Sequence, residues 1–304
     1  MQPSMRAAAS RNRRQSLHRL LSSVRLGEVL VLQGSPLLGA LFAMRHPTAS
    51  SAGSIALLGA GSTLLVAHVF VLNDWSGFAG DLRDPNRTGD TSPYRGIGGA
   101  GLGYLSITLL GMALLLLGFF GYWTLTIALA IACLSALYSF PGIHMKGAPL
   151  LNSGLHFAGG LLHFLLGYSV FTAPDWRGVA IGSFFALIFV AGHLTHETRD
   201  CDSDRANGIM TNAAKFGKRR TFLWGLALFT AADLLLTVLA LRGTAPHLLA
   251  VIPVIVPLHV YWSASAIRSG LTFETVRRVQ TGYRYLYAAV GLLMVAGLLA
   301  RLKV

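Results

Sequence analysis

Eight of the twelve acidic residues lie in two short segments at the ends of apolar stretches, Asn73 to Asp90 (NDWSGFAGDLRDPNRTGD) and His196 to Asp204 (HETRDCDSD). A carboxylate beside hydrocarbon carries a desolvation cost of at least roughly a few kcal/mol, and like charges one helical turn apart repel. A divalent cation offsets both. Hard Mg2+ prefers oxygen ligands and binds through one or two carboxylates plus the phosphates of a substrate, so two such clusters point to a metal-dependent diphosphate site.

The spacing puts the carboxylates on helix faces. At roughly 100° per residue, Asn73, Asp74, Gly77, Asp81 and Asp84 project within an arc of about 100° if the helix continues, and Pro85 ends it. In the second segment Glu197, Asp200 and Asp204 share an arc of about 60°, while Asp202 points away and reads as a solvated charge. The bland alternative is a pair of solvent-facing acidic loops neutralised by neighbouring arginines. Helical spacing repeated in two separated segments of so acid-poor a chain argues against it.

Membrane helices must position these faces. The 304 residues are 53% apolar and 12% charged, with mean hydropathy +0.57, which leaves no room for a large soluble domain. Nine apolar runs of roughly 17–25 residues are centred near 36, 63, 111, 131, 161, 187, 231, 257 and 293. The fold expected is all-α, nine transmembrane helices bundled around a central cavity. Residues 1–25 form a basic cytoplasmic amino-terminal arm on anionic lipid, and 26–304 form the membrane domain.

With that arm inside, 20 of the 25 Lys and Arg residues fall on the cytoplasmic side. This asymmetry satisfies the positive-inside rule. It places both acidic segments at the cytoplasmic face, as in a bacterial-type inner membrane. The net charge of +13 thus reads as orientation and attraction for lipid headgroups or phosphate, and scattered basic residues without a recognition module exclude a nucleic-acid binder. Cys133 and Cys201 offer neither a zinc motif nor a disulfide framework.

Within the fifth run, Asn152, His156 and His163 share a face about 40° wide, and His193 sits one turn before Glu197. Polar groups in a span usually face the bundle interior. These four are candidates for binding an acceptor or removing a proton, with interhelical hydrogen bonding as the structural alternative. His68, Glu28 and Asp233 read as structural.

The motifs together resemble a family. Asn73, Asp74 and Asp81 match the NDxxDxxxD motif of the UbiA-type intramembrane prenyltransferase superfamily. HETRDCDSDRANGIMTNAAKFG is similar to its second motif through Glu197, Arg199, Asp200, Asp204, Gly208, Thr211 and Gly217, and YSFPGIHMKG supplies Tyr138, Ser139, Pro141 and Lys146 of a third. Gly77 stands where the first motif has its middle Asp, and Gly142 where the third has its second Pro. Either Asp74 substitutes for the missing carboxylate, or Asn73, Asp81 and water complete the site, or the site is degenerate or serves a different chemistry.

The resemblance implies cleavage of a prenyl diphosphate assisted by two Mg2+ ions, with Asn73, Asp74, Asp81, Glu197, Asp200 and Asp204 as metal ligands. Asp74, Asp81, Asp200, Asp204, Tyr138 and Lys146 would be catalytic. Arg87, Lys146, Arg199, Arg205 and Lys215 would hold the diphosphate, and Tyr138, Phe140, Phe157 and Phe164 could shield the allylic cation. The usual acceptor is hydrophobic and most often aromatic. A UbiA-like terpene cyclase is the alternative within the family. A transporter is the alternative outside it, since Pro246, Pro253 and Pro257 interrupt the eighth run.

Overall fold

The computed structural model describes residues 24–81, 98–143 and 145–302, except for the side chains of 79–81, 301 and 302. Asp84, Arg87, Asp90 and the arm up to residue 23 lie outside the described residues, as does the Asp81 side chain. The described chain is all helix: α1 (Leu26–Leu32), α2 (Gly34–Ala43), α3 (Ala49–Asp81), α4 (Gly99–Gly118), α5 (Tyr122–Ser139), a 3-10 turn (Met145–Gly147), α6 (Leu151–Tyr168), α7 (Trp176–Ala206), α8 (Asn212–Phe216), α9 (Lys218–Leu241), a 3-10 segment (His247–Ile255), α10 (Val256–Arg268) and α11 (Phe273–Leu302).

Eight segments are long and apolar enough to cross a membrane, α1 with α2 and the 3-10 segment with α10 each counting as one. The ninth expected span, α6, is a helix of 18 residues but is not among them. Its polar side chains lower its hydropathy, and they face neighbouring helices. The prolines of the eighth run act as their chemistry demands: Pro253 lies in the 3-10 segment and Pro257 in the first turn of α10, where a missing N–H costs nothing.

Both long helices outrun the bilayer. About 20 residues cross the hydrocarbon; counted from the start of α7, that crossing ends near residue 196 and leaves Glu197, Asp200 and Asp204 on turns beyond it. The second acidic segment is therefore the end of a helix rather than a loop. Asp175 starts α7 by accepting a hydrogen bond from the Gly178 N–H (2.8 Å), which holds its carboxyl below the usual range. α3 likewise runs unbroken through Asn73 and Asp74 to Asp81.

α7 is the central element, packed between α6 and α9, while α3 packs mainly on α4 and α6 also meets α2. Small residues permit the last contact: a Cβ on Gly167 would collide with the Pro36 carbonyl, and one on Gly39 with the Phe164 carbonyl. Backbones this close are a normal route to helix association in lipid.

Candidate active site

Glu197 is the most enclosed carboxylate of the second motif, 5% exposed. Its Oε1 accepts from Asn152 Nδ2 at 2.5 Å and its Oε2 from the Asn212 backbone N–H at 3.0 Å. Asn212 Nδ2 donates to Asn152 Oδ1 (2.9 Å) and Ser153 Oγ (3.0 Å), and its Oδ1 accepts from the Leu150 N–H (2.7 Å). One carboxylate thus ties α7 to the starts of α6 and α8. The chain can deliver Asn212 because Gly208 and Gly217 take positive φ (69° and 91°), turning it sharply before and after α8, and Thr211 caps α8.

Asp200 and Asp204 stand farther along the same face. Arg199 grips Asp200 through Nε and Nη2, both at 2.7 Å, and also donates to Gln280 Oε1 (3.0 Å) and lies over the Phe273 ring (5.3 Å). It is therefore anchored to the start of α11. Asp204 is within electrostatic reach of Lys146, Asp200, Glu197 and the Thr211 hydroxyl. Lys146 comes from the 3-10 turn after α5, whose backbone carbonyl accepts from Asn152 Nδ2 (3.2 Å). Asp202, exposed and paired with Lys218 (2.6 Å), is the solvated charge its spacing predicts. Arg205 donates to the Ala214 carbonyl (3.0 Å) and Lys215 sits by the Phe216 ring (5.5 Å), both exposed.

Of the polar residues on α6, Asn152 serves Glu197 and His156 stacks on His193 with ring centres 3.6 Å apart. The His156 Nδ1 faces the Asn152 carbonyl at 2.8 Å. A carbonyl only accepts, so Nδ1 carries the proton and Nε2 has the lone pair. Tyr138 meets His156 edge-on (5.1 Å). His193 Nε2 lies 3.1 Å from Glu197 Oε1 but is poorly aligned for a hydrogen bond. His163 is two turns deeper, and its buried Nε2 has no hydrogen-bond partner.

The first motif lies at the same end of the bundle, joined through the end of α5. Ser76 Oγ donates to the Ser139 carbonyl, and Trp75 packs on Phe140 (5.8 Å). Gly142, in place of a motif Pro, has φ 99°, a conformation closed to proline. Asp74, 3% exposed, is bound by Arg25. Asn73 is half-buried beside it.

The donor set suits Mg2+ unevenly. Asp200 and Asp204 offer hard oxygens on one face, with Glu197 behind them, whereas Asp74 has a guanidinium and position 77 no side chain. Among the described residues no three His, Cys, Asp or Glu side chains already converge as ligands.

Sequence reasoning missed Arg25 and Asn212. Arg25 was absorbed into the basic arm; its only sequence signal is its place just before the first apolar run. Asn212, next to motif residue Thr211, had no evident partner. Asp233, to which the sequence assigns none, accepts from Tyr287 Oη (3.2 Å) and lies 3.6 Å from His259 Nδ1. His68 pairs with Ser106 (2.9 Å), and Glu28 lies 4.0 Å from Arg25. Both cysteines are free. A cavity of about 320 Å3 lies between α6, α7, α8 and α9, with Ser153, Leu194, Asn212 and Trp224 among its walls.

The fold recurs in solved structures. The chain is 19% identical to digeranylgeranylglyceryl phosphate synthase, with TM-score 0.70, covering 95% of this chain and all of that one. It is 16% identical to a UbiA homolog from Archaeoglobus fulgidus bound to DMAPP and Mg2+ (TM-score 0.71; 93% and 99% covered). It is 15% identical to the apo UbiA homolog from Aeropyrum pernix K1 (TM-score 0.66; 91% and 98% covered). No curated protein matches the chain. The family model for UbiA prenyltransferases matches residues 34–272, which span α2 through α10 and hold all three motifs. With that match, and with the carboxylate face of α7 at the end of a multi-pass membrane bundle, the chain belongs to the UbiA prenyltransferase family.

Proposed function

We propose that this protein ionises an allylic prenyl diphosphate between the ends of α3 and α7 and transfers the isoprenyl group to a hydrophobic acceptor, an aromatic one before others. The carrying observation is the α7 face that holds Asp200 and Asp204, with Lys146 within electrostatic reach of Asp204 and Glu197 pinned behind them. Supporting it, Archaeoglobus fulgidus homologs of the same fold bind DMAPP or GPP with Mg2+. Bound Mg2+ neutralises charge developing on the departing diphosphate and so promotes C1–O ionisation. Asp200 and Asp204 are the residues to hold it.

The chain's own groups do the rest. Lys146 meets the diphosphate as a point charge, Arg199 extends its fork beside Asp200, and Arg205 and Lys215 draw the anion to the mouth. Tyr138 and the His156–His193 stack present ring faces that shield the cation from water. His156 Nε2, holding a lone pair because Nδ1 donates, takes the proton that an aromatic acceptor loses. α6, about 27 Å long and packed between α2, α5 and α7, completes a nine-crossing bundle around a chamber that opens on the motif side. The basic-residue asymmetry orients that side to the cytoplasm.

Purified protein incubated with Mg2+, prenyl diphosphates of graded length and a panel of acceptors tests this by product mass. The panel includes aromatic acceptors and a glyceryl phosphate, the latter suggested by the likeness to digeranylgeranylglyceryl phosphate synthase. An aromatic acceptor heavier by one isoprenyl group is the expected product. A cyclised prenyl product without acceptor would favour the cyclase, and no diphosphate consumption with any acceptor would overturn the proposal.

A further inference from the structure

One side chain outside the three motifs holds a motif residue. Gln280 stands on α11, which lies wholly beyond residues 34–272 of the family match. It is 7% exposed, and its Oε1 accepts from Arg199 Nη1 at 3.0 Å, across 81 positions of sequence. Packing fixes its place: Val276 and Tyr283, one turn to either side on the same face of α11, join a buried apolar cluster with Ala191 of α7 and with Phe222 and Phe229 of α9. A guanidinium only donates, so the amide must turn its oxygen to Arg199. The end left over, Nε2, is buried with no hydrogen-bond partner among the described residues. An amide half-satisfied in an apolar setting is unfavourable, and the bond to Arg199 is what it is kept for.

Arg199 is held from two sides. Its Nε and Nη2 grip Asp200, both at 2.7 Å, while α11 holds it through Gln280 at Nη1 and through the Phe273 ring, 5.3 Å from the guanidinium carbon. Any cation that Asp200 takes up must displace the guanidinium from that carboxylate. The bond given up joins sequence neighbours whose side chains are 21% and 37% exposed, and a partly solvated pair gives way at small cost. The α11 contacts do not involve Asp200 and survive the exchange. They keep the guanidinium beside the carboxylate face with Nε and Nη2 released.

We propose that Gln280 is a positioning residue: its Oε1, with Phe273, holds the Arg199 guanidinium so that the donors Asp200 gives up pass to the substrate diphosphate. The inference rests on the prenyl diphosphate reading above. The exchange suits a guanidinium, because two parallel N–H groups that fit a carboxylate fit two diphosphate oxygens as well. Without the α11 contacts, the long Arg199 side chain would have to be ordered anew each time the anion binds.

The test compares two affinities, for a non-ionising prenyl thiolodiphosphate at saturating Mn2+ and for Mn2+ alone, the latter by spin counting of free ion. Gln280→Met keeps the length of the side chain and loses the amide. The analogue should bind it about tenfold more weakly, the cost of ordering one Arg side chain, while affinity for Mn2+ alone changes by less than about threefold. Added to Arg199→Met, it should cost nothing further, because Gln280 acts through Arg199. An analogue loss below about threefold in folded Gln280→Met, a Mn2+ loss as large as the analogue loss, or an undiminished effect in the Arg199→Met background would overturn the inference and leave the diphosphate reading intact. If the native protein binds no analogue, that reading fails and the inference with it. Phe273 is 50% exposed, so Phe273→Leu spares the packing; it should show the same selective loss, about two- to fivefold. Unchanged analogue affinity there overturns the inference even if Gln280→Met does not fold.

Discussion

Asn152→Ala probes the joint that fixes the second motif. The change removes the 2.5 Å bond to Glu197 Oε1, the 2.9 Å bond from Asn212 Nδ2 and the 3.2 Å bond to the Lys146 carbonyl. A hydrogen bond to a charged group contributes about 1.5–3 kcal/mol and a neutral one about 1 kcal/mol. Alanine is the better helix former, which returns a few tenths of a kcal/mol, roughly. Glu197 keeps its bond from the Asn212 N–H, and the net loss is about 3–4.5 kcal/mol, or a Tm lowered by about 5–7 °C for a chain of this size. Thermal unfolding in detergent, followed by tryptophan fluorescence, reads this directly. Asn152→Asp should be worse than alanine, because it sets a second carboxylate against Glu197. Asn152→Ala with Glu197→Gln should cost less than the sum of the single changes. A Tm within about 1 °C of native in Asn152→Ala, together with strict additivity in the double variant, would refute a structural bond between the two side chains.

Asp204→Ala should lower prenyl transfer roughly a hundredfold or more while the Tm holds, since it removes stabilisation of the leaving group worth about a few kcal/mol; full turnover in Asp204→Ala or in EDTA would contradict this. A single cysteine at Ser203, exposed near the end of α7, in a background without Cys133 and Cys201, should resist an impermeant maleimide in intact cells and react once they are permeabilised. Labelling in intact cells would reverse the orientation drawn from the charge asymmetry.

What the sequence could show depended on whether a residue's partner lay nearby in the chain. The α7 face was legible because Glu197, Asp200 and Asp204 repeat at helical spacing, so one periodicity argument placed three side chains. α3 was legible for the same reason as far as Asp81. The partners of those carboxylates were not. Arg25 reaches Asp74 across 49 positions, and Asn212 reaches Glu197 only after a turn at Gly208 that sequence periodicity does not encode. Asp233, His259 and Tyr287 likewise meet from three different helices. α6 was recognised as apolar, and the shared face of Asn152, His156 and His163 followed from spacing, but its three side chains have different surroundings: Asn152 a carboxylate, His156 a histidine ring, and His163 no hydrogen-bond partner for its Nε2 among the described residues.

Cleavage through an allylic cation is tested most directly by comparing two diphosphates of one carbon skeleton, dimethylallyl, which is allylic, and isopentenyl, which is not. Pyrophosphate release is measured with native protein, Mg2+ and a saturating acceptor. Ionisation assisted by the Asp200–Asp204 face predicts release from the dimethylallyl compound alone, abolished by chelation of the metal. Equal release from both compounds, or release that persists in EDTA, would contradict it.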